Sequence, residues 1–211
     1  MSPRAEGRAP HRDPRREGRR QQLLEAAVEA IRTTGPGATM EQLARQGGVT
    51  KPILYRHFGD RDGLITAIAD GFSRDLLAAI QAALVGSNEP RELLRNTVDT
   101  YLAFIERDPS LYRFLVQQAS SSGGVIQLNP VIEAVSKQVA VVMGDQLRAA
   151  GADSGPAVPW AFGIVGLVHQ AGDWWLAEQT MTRATLTDYL TTLLWSGLEH
   201  AATTASAAHP A

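Results

Sequence analysis

Apolar residues recur at the spacing of an α-helix along most of the chain, and this periodicity restricts the possible folds more than any other feature. Two sets repeat near the period of about 3.6 residues: Leu23, Leu24, Ala27 and Ile31, then Leu64, Ile68, Phe72, Leu76 and Ile80. No segment alternates apolar and polar residues convincingly, as a half-buried strand does. The sequence therefore predicts an all-α protein of about nine helices.

Short turn-forming segments divide the second part of the chain. The segments GSNEP, SSSGG and GADSGPA separate helices predicted at about 91–107, 109–119, 128–150, 157–179 and 183–203. Residues 1–17 are rich in Arg, Pro and Gly with little to bury, and we expect them and residues 204–211 to be disordered tails. Between the tails we expect an N-terminal domain at 18–66 and a second helical domain at 67–203.

The bulk composition excludes several classes of protein. The 211-residue chain contains no cysteine, which rules out disulfides, thiolate metal sites and cysteine nucleophiles. The longest apolar run, WAFGIVGLV at 160–168, is far shorter than the roughly 20 residues of a membrane-spanning helix. The N-terminus also lacks the apolar segment of a signal peptide. We therefore expect a cytoplasmic protein.

Residues 39–58 predict two short helices joined by a tight turn. Thr39 and Gln42 match a capping box that starts the first helix. Glycines at 47 and 48 end that helix, since glycine tolerates positive φ. Thr50 is expected to cap the second helix, and Pro52 is tolerated in its first turn. This pattern is typical of a helix-turn-helix, although an ordinary helical hairpin has the same outline.

The exposed side of the second helix carries cations and aromatic residues. At 100° per residue, Arg56 lies opposite the apolar anchor of Leu54 and Phe58. The segment TKPILYRHF contains no acidic residue, unlike an ordinary surface helix. Such a helix can enter the major groove of DNA by its N-terminus, with Lys51 and Arg56 near phosphates or guanine edges. The composition of this face favours contact with DNA over a merely solvated surface.

The charge distribution agrees with a polyanionic partner for the first part of the chain. Residues 1–61 hold 12 Lys+Arg and 7 Asp+Glu, a net of +5, whereas residues 62–211 hold 8 and 15, a net of −7. A disordered Arg-rich tail explains the first value equally well. After Gly59, Asp60 is expected to cap a further helix and to place Arg61 at a helix N-terminus, where it can clamp a phosphate.

The stretch TMEQLARQGGVTKPILYRHFGDRDGLITAI resembles the DNA-binding region of TetR-family transcriptional regulators. The residues that carry the resemblance, which extends over about 18–70, are Thr39, Ala44, Gly48, Val49, Tyr55, His57, Phe58 and Leu64. It implies DNA contacts at Thr39, Thr50, Lys51, Pro52, Tyr55, His57 and Arg61, to which we add Arg56 from its place on the helix. It also implies that the remaining helices bind a small ligand and pair two subunits.

The last two predicted helices are more apolar than one core requires. The segment 157–179 carries Trp160, Ile164, Leu167, Trp174 and Trp175, and 183–203 carries Leu186, Leu190, Leu193, Leu194 and Leu198. We expect these helices to form a four-helix bundle with their symmetry mates in a homodimer. A thick core within one subunit is the alternative.

A ligand cavity is expected among the helices between 91 and 179. Aromatic side chains dominate there and charges are few, so we expect a largely apolar effector oriented by a few polar groups. The candidate contacts are Tyr101, Phe104, Tyr112, Phe114, Gln117, Phe162, His169, Gln170, Asp173 and Trp174.

No motif indicates a metal, a cofactor or catalysis. His169 and Asp173 lie four residues apart, but two ligands without a third do not make a metal site, and we expect an N–H to carboxylate bond or simple exposure. The chain offers no glycine-rich phosphate loop, nucleophile elbow or paired-carboxylate motif, so we do not expect an enzyme.

Taken together, the residues and the resemblance predict a homodimeric DNA-binding regulator, a repressor released from its operator by a lipophilic effector. An all-helical lipid carrier or adaptor, whose basic helix contacts a protein partner, is the alternative from the residues alone. Activation instead of repression also stays open.

Overall fold

A computed structural model describes residues 14–87, 89–121 and 129–208 of the chain. Within these ranges all regular structure is helical, which confirms the predicted all-α class with its nine helices. The helices are α1 (Pro14–Thr34), α2 (Met40–Gln46), α3 (Lys51–Phe58), α4 (Arg61–Leu84), α5 (Pro90–Arg107), α6 (Pro109–Ser121), α7 (Asn129–Ala149), α8 (Ala157–Glu178) and α9 (Arg183–Ala208). None of the described helices is long and apolar enough to cross a membrane.

The two predicted tails are partly helical. Helix α1 begins at Pro14 instead of near residue 18, and α9 continues to Ala208 instead of ending at 203. In the first turns of α1, Glu17 lies 3.9 Å from Arg20, and Arg19 donates to the Gln22 side chain at 3.3 Å. Such pairs three residues apart support helix where composition alone favours disorder. Residues 1–13 and 209–211, and part of the predicted SSSGG turn, lie outside the described residues.

Helices α1, α2 and α3 pack around a small apolar core. Leu23 and Ile31 of α1, Leu43 of α2 and Leu54 of α3 are at most 1% exposed, and Leu64 of α4 joins them. Removing these side chains from water supplies the main stabilisation of so small a unit. Helix α3 is thereby held against both its neighbours.

Helix α4 crosses the predicted domain boundary without interruption. The boundary expected at 66–67 lies inside this helix, because its apolar stripe continues on both sides of that point. Helix α4 contacts α1 and α3 and also contacts α5, α6 and α7. A single rigid element therefore connects the first three helices to the rest of the molecule.

The remaining helices pack mainly as the pairs α5 with α9 and α7 with α8. Two surface ion pairs connect α5 and α9: Arg95 lies 3.0 Å from Asp188, and Arg183 lies 3.0 Å from Asp99. Exposed pairs of this kind contribute little stability, so the packing depends mainly on buried apolar side chains.

Helices α8 and α9 both expose large apolar side chains. In α9, Tyr189 is 63% exposed and Leu193 is 61% exposed, and in α8 Trp174 is 46% exposed. Val158, Phe162 and Leu167 of α8 are also exposed. The core of a single chain therefore buries only some of the large apolar side chains of α8 and α9.

Candidate nucleic-acid interface and apolar cavity

The capping box predicted at the start of α2 is confirmed. The Thr39 backbone N–H donates to Gln42 Oε1 at 2.7 Å, and the Gln42 backbone N–H donates to Thr39 Oγ1 at 3.4 Å. Each side chain thus satisfies a backbone amide that the helix leaves unpaired. Thr39 itself stays exposed at the end of the helix.

The two glycines of the turn after α2 have different roles. Gly48 has φ +66°, a conformation that strains other residues, and the next amide, that of Val49, donates to the Ala44 carbonyl at 3.0 Å. Gly47 has negative φ, but a Cβ there would lie 2.8 Å from Leu23 Cδ2. Arg19 also donates to the Gly47 carbonyl at 3.3 Å. The turn is therefore pressed against α1, and α3 leaves it at a fixed angle.

Helix α3 is oriented by its two apolar anchors, as predicted. Leu54 is fully buried and Phe58 is 9% exposed, with the Arg20 guanidinium 4.8 Å from the centre of the Phe58 ring. Pro52 and Arg56 are exposed. Anchoring one side of α3 therefore presents Pro52 and Arg56 to solvent.

The start of α3 differs from the prediction in one detail. Thr50 occupies the N-cap position, but its side chain makes no capping hydrogen bond, so the expected side-chain cap is wrong. Nearby, Lys51 Nζ lies 2.9 Å from Glu41 Oε1 and 5.9 Å from the centre of the Tyr55 ring. The Glu41 carboxylate raises the pKa of Lys51. An exposed ion pair of this kind is easily exchanged for a phosphate.

Cations from two helices meet at His57. Burial first, and then the charge of Arg56, lower the pKa of His57, and the α1 residues Arg16, Arg19 and Arg20 add to the effect. None of these three arginines is among the DNA contacts predicted from the sequence, and Arg16 falls in the segment that was expected to be disordered. Their spacing within RREGRR was the available signal, but only the packing of α1 against α3 joins them to the basic surface.

The Arg61 side chain is half-exposed and is bonded to other side chains of the protein. As predicted, Asp60 caps α4 by accepting from the Gly63 backbone N–H at 2.8 Å, after Gly59 at φ +91°. The Arg61 guanidinium, however, donates to the Gln118 side chain of α6 and lies 3.5 Å from Asp62. The predicted phosphate contact of Arg61 stays a prediction, and the structure places this side chain between α4 and α6.

A cavity of about 560 Å³ lies among α4, α5, α7 and α8, with α9 closing part of one end. Of the predicted effector contacts, Tyr101, Tyr112 and His169 line it. Trp160, Met143 and Trp195 also line it and were missed, because helical spacing does not reveal which buried face meets a void. Trp160 had been assigned to subunit pairing.

The other predicted contacts do not line the cavity. Phe104 packs edge-on against Phe72 with ring centres 5.0 Å apart, and Phe114 is fully buried in the core. Phe162 and Trp174 are exposed on α8. Gln117 and Gln170 are exposed, and Asp173 is half-buried beside Tyr112. Contact of any of these residues with an effector stays a prediction.

Four polar side chains form a cluster at one end of the cavity. Tyr101 Oη lies 2.9 Å from His169 Nδ1, and Tyr112 donates to the Asp173 carboxylate. His169 Nε2 is 3.8 Å from Asp173 Oδ2, too far for the direct hydrogen bond expected from the sequence. The Asp173 carboxylate instead accepts a hydrogen bond from the Tyr112 hydroxyl.

Close contact between α5 and α8 makes this cluster possible. A Cβ at Gly172 would lie 3.0 Å from Tyr101 Cε1, so the absence of a side chain lets α8 approach and brings His169 to Tyr101. Burial raises the pKa of both phenols, which are therefore neutral at physiological pH. In the part of the chain that the structure describes, no group of three or more His, Asp or Glu side chains is arranged to hold a metal.

Two family models match the chain. Residues 23–68 match the model of bacterial regulatory proteins, tetR family, and residues 79–209 match the model of a tetracyclin repressor-like C-terminal domain. The N-terminal match spans α2 and α3, and the C-terminal match includes most of the residues that line the cavity.

Individual proteins resemble the chain over most of its length. An HTH-type transcriptional regulator of Mycobacterium tuberculosis strain H37Rv is 34% identical over 184 residues, 85% of this chain and 76% of that protein. The HTH-type transcriptional activator FasR of Mycolicibacterium smegmatis is 28% identical over 191 residues, 89% of this chain and 86% of FasR. A TetR-like transcriptional regulator from Rhodococcus sp. RHA1 has a similar fold, with a TM-score of 0.65 at 23% identity, covering 91% of this chain and 99% of that chain.

The basic surface leads to a prediction for the titration of His57. Its pKa should lie below the ordinary value of about 6.5, and Arg56→Gln should raise it, because one neighbouring positive charge is removed. The pKa is measured from the histidine ring signals by NMR in the full chain, with His57→Gln to assign the resonance.

Arg95→Gln is the matched control, since Arg95 of α5 pairs with Asp188 of α9 and does not contribute to the shift of His57. An unchanged His57 pKa in Arg56→Gln, or an equal change in the control, would contradict the assignment of a local cationic field.

Proposed function

The chain belongs to the tetR family of bacterial regulatory proteins, and on that basis we propose that it is a homodimeric repressor, released from its operator by a small, largely apolar effector. Regulators of this family are DNA-binding transcription factors and not enzymes. The observation that carries the proposal is the exposed, cationic face of α3, held by α1 on a molecule that also contains an apolar cavity. We place the regulator in the cytoplasm, where it meets its DNA.

In this proposal α3 reads the major groove and its surroundings bind the backbone. The basic face combines the exposed Arg56 with the half-buried Lys51, Tyr55 and His57, and α1 adds further arginines close to His57. On binding DNA, Lys51 leaves its ion pair with Glu41 and pairs with a phosphate. The Thr50 hydroxyl, which makes no capping hydrogen bond, can donate to a phosphate oxygen. Residues 18–66 form the DNA-binding domain and 67–203 the effector and pairing domain, joined through α4.

Replacing Arg56 by alanine tests the DNA-reading face. We expect operator affinity to fall by about 5- to 150-fold, corresponding to about 1–3 kcal/mol for a base-edge contact. If Arg56 instead binds a phosphate, the slope of log affinity against log salt decreases by about one unit. The measurement is a mobility shift and footprint with DNA flanking the protein's own gene, across a salt series.

Arg95→Ala removes the same charge from α5 and should leave DNA affinity unchanged. An equal loss of DNA affinity in both variants would show that only the net charge of the protein matters, and not the position of Arg56. If the unmodified protein gives no salt-sensitive, two-fold-symmetric protection at submicromolar concentration, the lipid carrier suggested by the apolar cavity becomes the better function.

The exposed apolar residues of α8 and α9 support pairing of two copies. Leu193 and Tyr189 of α9 are more than half exposed, and Phe162 of α8 is 41% exposed. A Cβ at Gly163, Gly166 or Gly197 would meet no atom within 4 Å, so these faces leave room for a second backbone to approach. A two-fold pairing buries the same patch on both subunits and matches a two-fold operator.

Leu193→Glu tests the pairing surface. The wild type should have twice the mass of the 22.7 kDa chain by light scattering after gel filtration, and the variant should have the mass of one chain. The reason is that pairing would bury a carboxylate beside its symmetry mate without a compensating partner.

Val85→Glu is the matched control, because Val85 is 83% exposed at the end of α4 and outside the proposed interface. It should remain dimeric, and circular dichroism should show unchanged helicity in both variants. A dimeric Leu193→Glu protein, or a monomeric Val85→Glu protein, would contradict the proposed interface.

Release of DNA is a population shift in this proposal. The effector needs only to bind the DNA-incompetent arrangement more tightly than the competent one. The path available is short: α4 lines the cavity with Phe72 and Leu76 and contacts α1 and α3. Two side-chain hydrogen bonds add contacts between the two proposed domains. Arg61 donates to Gln118, and Arg32 donates to Asp108 at 2.7 Å.

Repression is the proposed mode, and activation has one specific observation in its favour. The relative FasR, 28% identical over 89% of this chain, is named as a transcriptional activator. Deleting the gene of this protein distinguishes the two modes: transcripts of the bound neighbouring gene rise for a repressor and fall for an activator. Complementation with the Arg56→Ala variant should fail to restore the wild-type level in either case.

A further inference from the structure

The shape of the cavity restricts the ligand to a long, narrow molecule. From Phe72 to Leu84, α4 lines the cavity continuously, which is a rise of about 18 Å at 1.5 Å per residue. With C–C bonds of about 1.5 Å, a fully extended alkyl chain advances about 1.3 Å per bond, so this length holds about 14 bonds. The middle of the cavity is lined by aliphatic side chains such as Ile80, Val139 and Val165. An unbranched aliphatic chain fits both the length and the lining.

The two ends of the cavity differ. At one end, Tyr101, Tyr112 and His169 lie beside Phe72, whose ring centre is 6.2 Å from that of Tyr112. At the other end lie Leu84 and Pro90, and the exposed lining residues are Pro90, Gln146, Ala149, Ala150 and Glu199. Within the described residues, the mouth is therefore opposite the polar cluster.

The hydrogen bonds of the cluster determine what kind of polar group it can accept. Tyr112 gives its proton to Asp173, and Tyr101 gives its proton either to His169 Nδ1 at 2.9 Å or to Tyr112 at 3.4 Å. In both tautomers of His169 the two phenol protons are used inside the cluster. On the two phenols only oxygen lone pairs remain, so a ligand group that bonds to either phenol is a hydrogen-bond donor.

A charged donor or acceptor fits this end poorly. A ligand oxygen bonded to the Tyr112 hydroxyl lies within about two hydrogen-bond lengths of the Asp173 carboxylate, so a second carboxylate is repelled. Asp173 itself does not line the cavity, so an ammonium group has no direct carboxylate partner there. An ester only accepts hydrogen bonds and finds no free phenol proton.

We propose that the effector is an unbranched aliphatic chain of about 12–15 bonds that ends in a hydroxyl group, which donates to the Tyr101 hydroxyl at the polar end of the cavity. This inference rests on the proposed function, in which the cavity is the effector site. The tail of the chain runs between α4, α7 and α8 toward the mouth.

The test titrates the full-length protein with dodecanol, dodecanoate, methyl dodecanoate and dodecane. Trp160 and Trp195 line the cavity, so their fluorescence reports occupancy. Dodecanol should bind about five-fold more tightly than the ester, as one hydrogen bond provides, and more than ten-fold more tightly than dodecanoate. In a separate titration with decanol, the affinity should be about ten-fold lower than for dodecanol, because two fewer CH₂ groups are buried.

Two variants locate the hydroxyl. Tyr101→Phe should lower the affinity for dodecanol to near that for the ester without changing the ester, whereas Tyr189→Phe, an exposed tyrosine on α9, should change neither. Asp173→Asn keeps an acceptor for Tyr112 and removes the charge, so the preference for dodecanol over dodecanoate should shrink or reverse. Circular dichroism verifies that each variant is folded.

Equal or tighter binding of dodecanoate by the unmodified protein overturns the inference, as does failure of all four probes to bind. An unchanged dodecanol affinity in folded Tyr101→Phe also overturns it. The operator mobility shift is measured in the same titration: dodecanol binding that leaves DNA bound overturns the proposed release but supports the ligand assignment. DNA release by dodecanoate with no effect of dodecanol overturns only the ligand assignment.

Discussion

Burial of the apolar stripe of α4 is the constraint on which the other features depend. The helix supplies Leu64 to the small core under the helix-turn-helix, and Phe72 and Ile80 to the wall of the cavity. Because a helix is stiff along its axis, α4 gives the proposed effector response a direct connection from the cavity wall to α1 and α3. The proposed DNA-reading surface and the cavity therefore share a structural element.

The basic surface is assembled by packing and not by one segment. Helix α3 contributes Arg56 and His57, but the arginines of α1 reach the same place only because Arg19 bonds the Gly47 carbonyl and Arg20 stacks on Phe58. The same contacts fix the angle of α3. Orientation of the helix and concentration of positive charge thus have a common physical cause, which is the contact between α1 and the turn.

The cavity is lined by apolar side chains along most of its length, and at one end by a small polar cluster whose members hydrogen-bond to one another. Burying Tyr101, Tyr112 and Asp173 is tolerated because each finds a hydrogen-bond partner within the cluster. That satisfaction also makes the end selective, since a ligand group must match the lone pairs that remain. Selectivity for a polar group in an otherwise apolar cavity then depends on few atoms, whereas affinity depends on the length of chain buried.

By itself the sequence determined the helical fold, the capping box at Thr39, the turn at Gly48 and the orientation of α3, because these depend on local spacing and on backbone preferences. Only the tertiary structure decided that Arg61 reaches Gln118 on α6, and that Tyr101 and Tyr112 line the cavity while Phe114 does not. The reason is that helical periodicity shows which side of a helix is buried. What that side meets, whether core, void or a side chain distant in sequence, is set by how the helices pack.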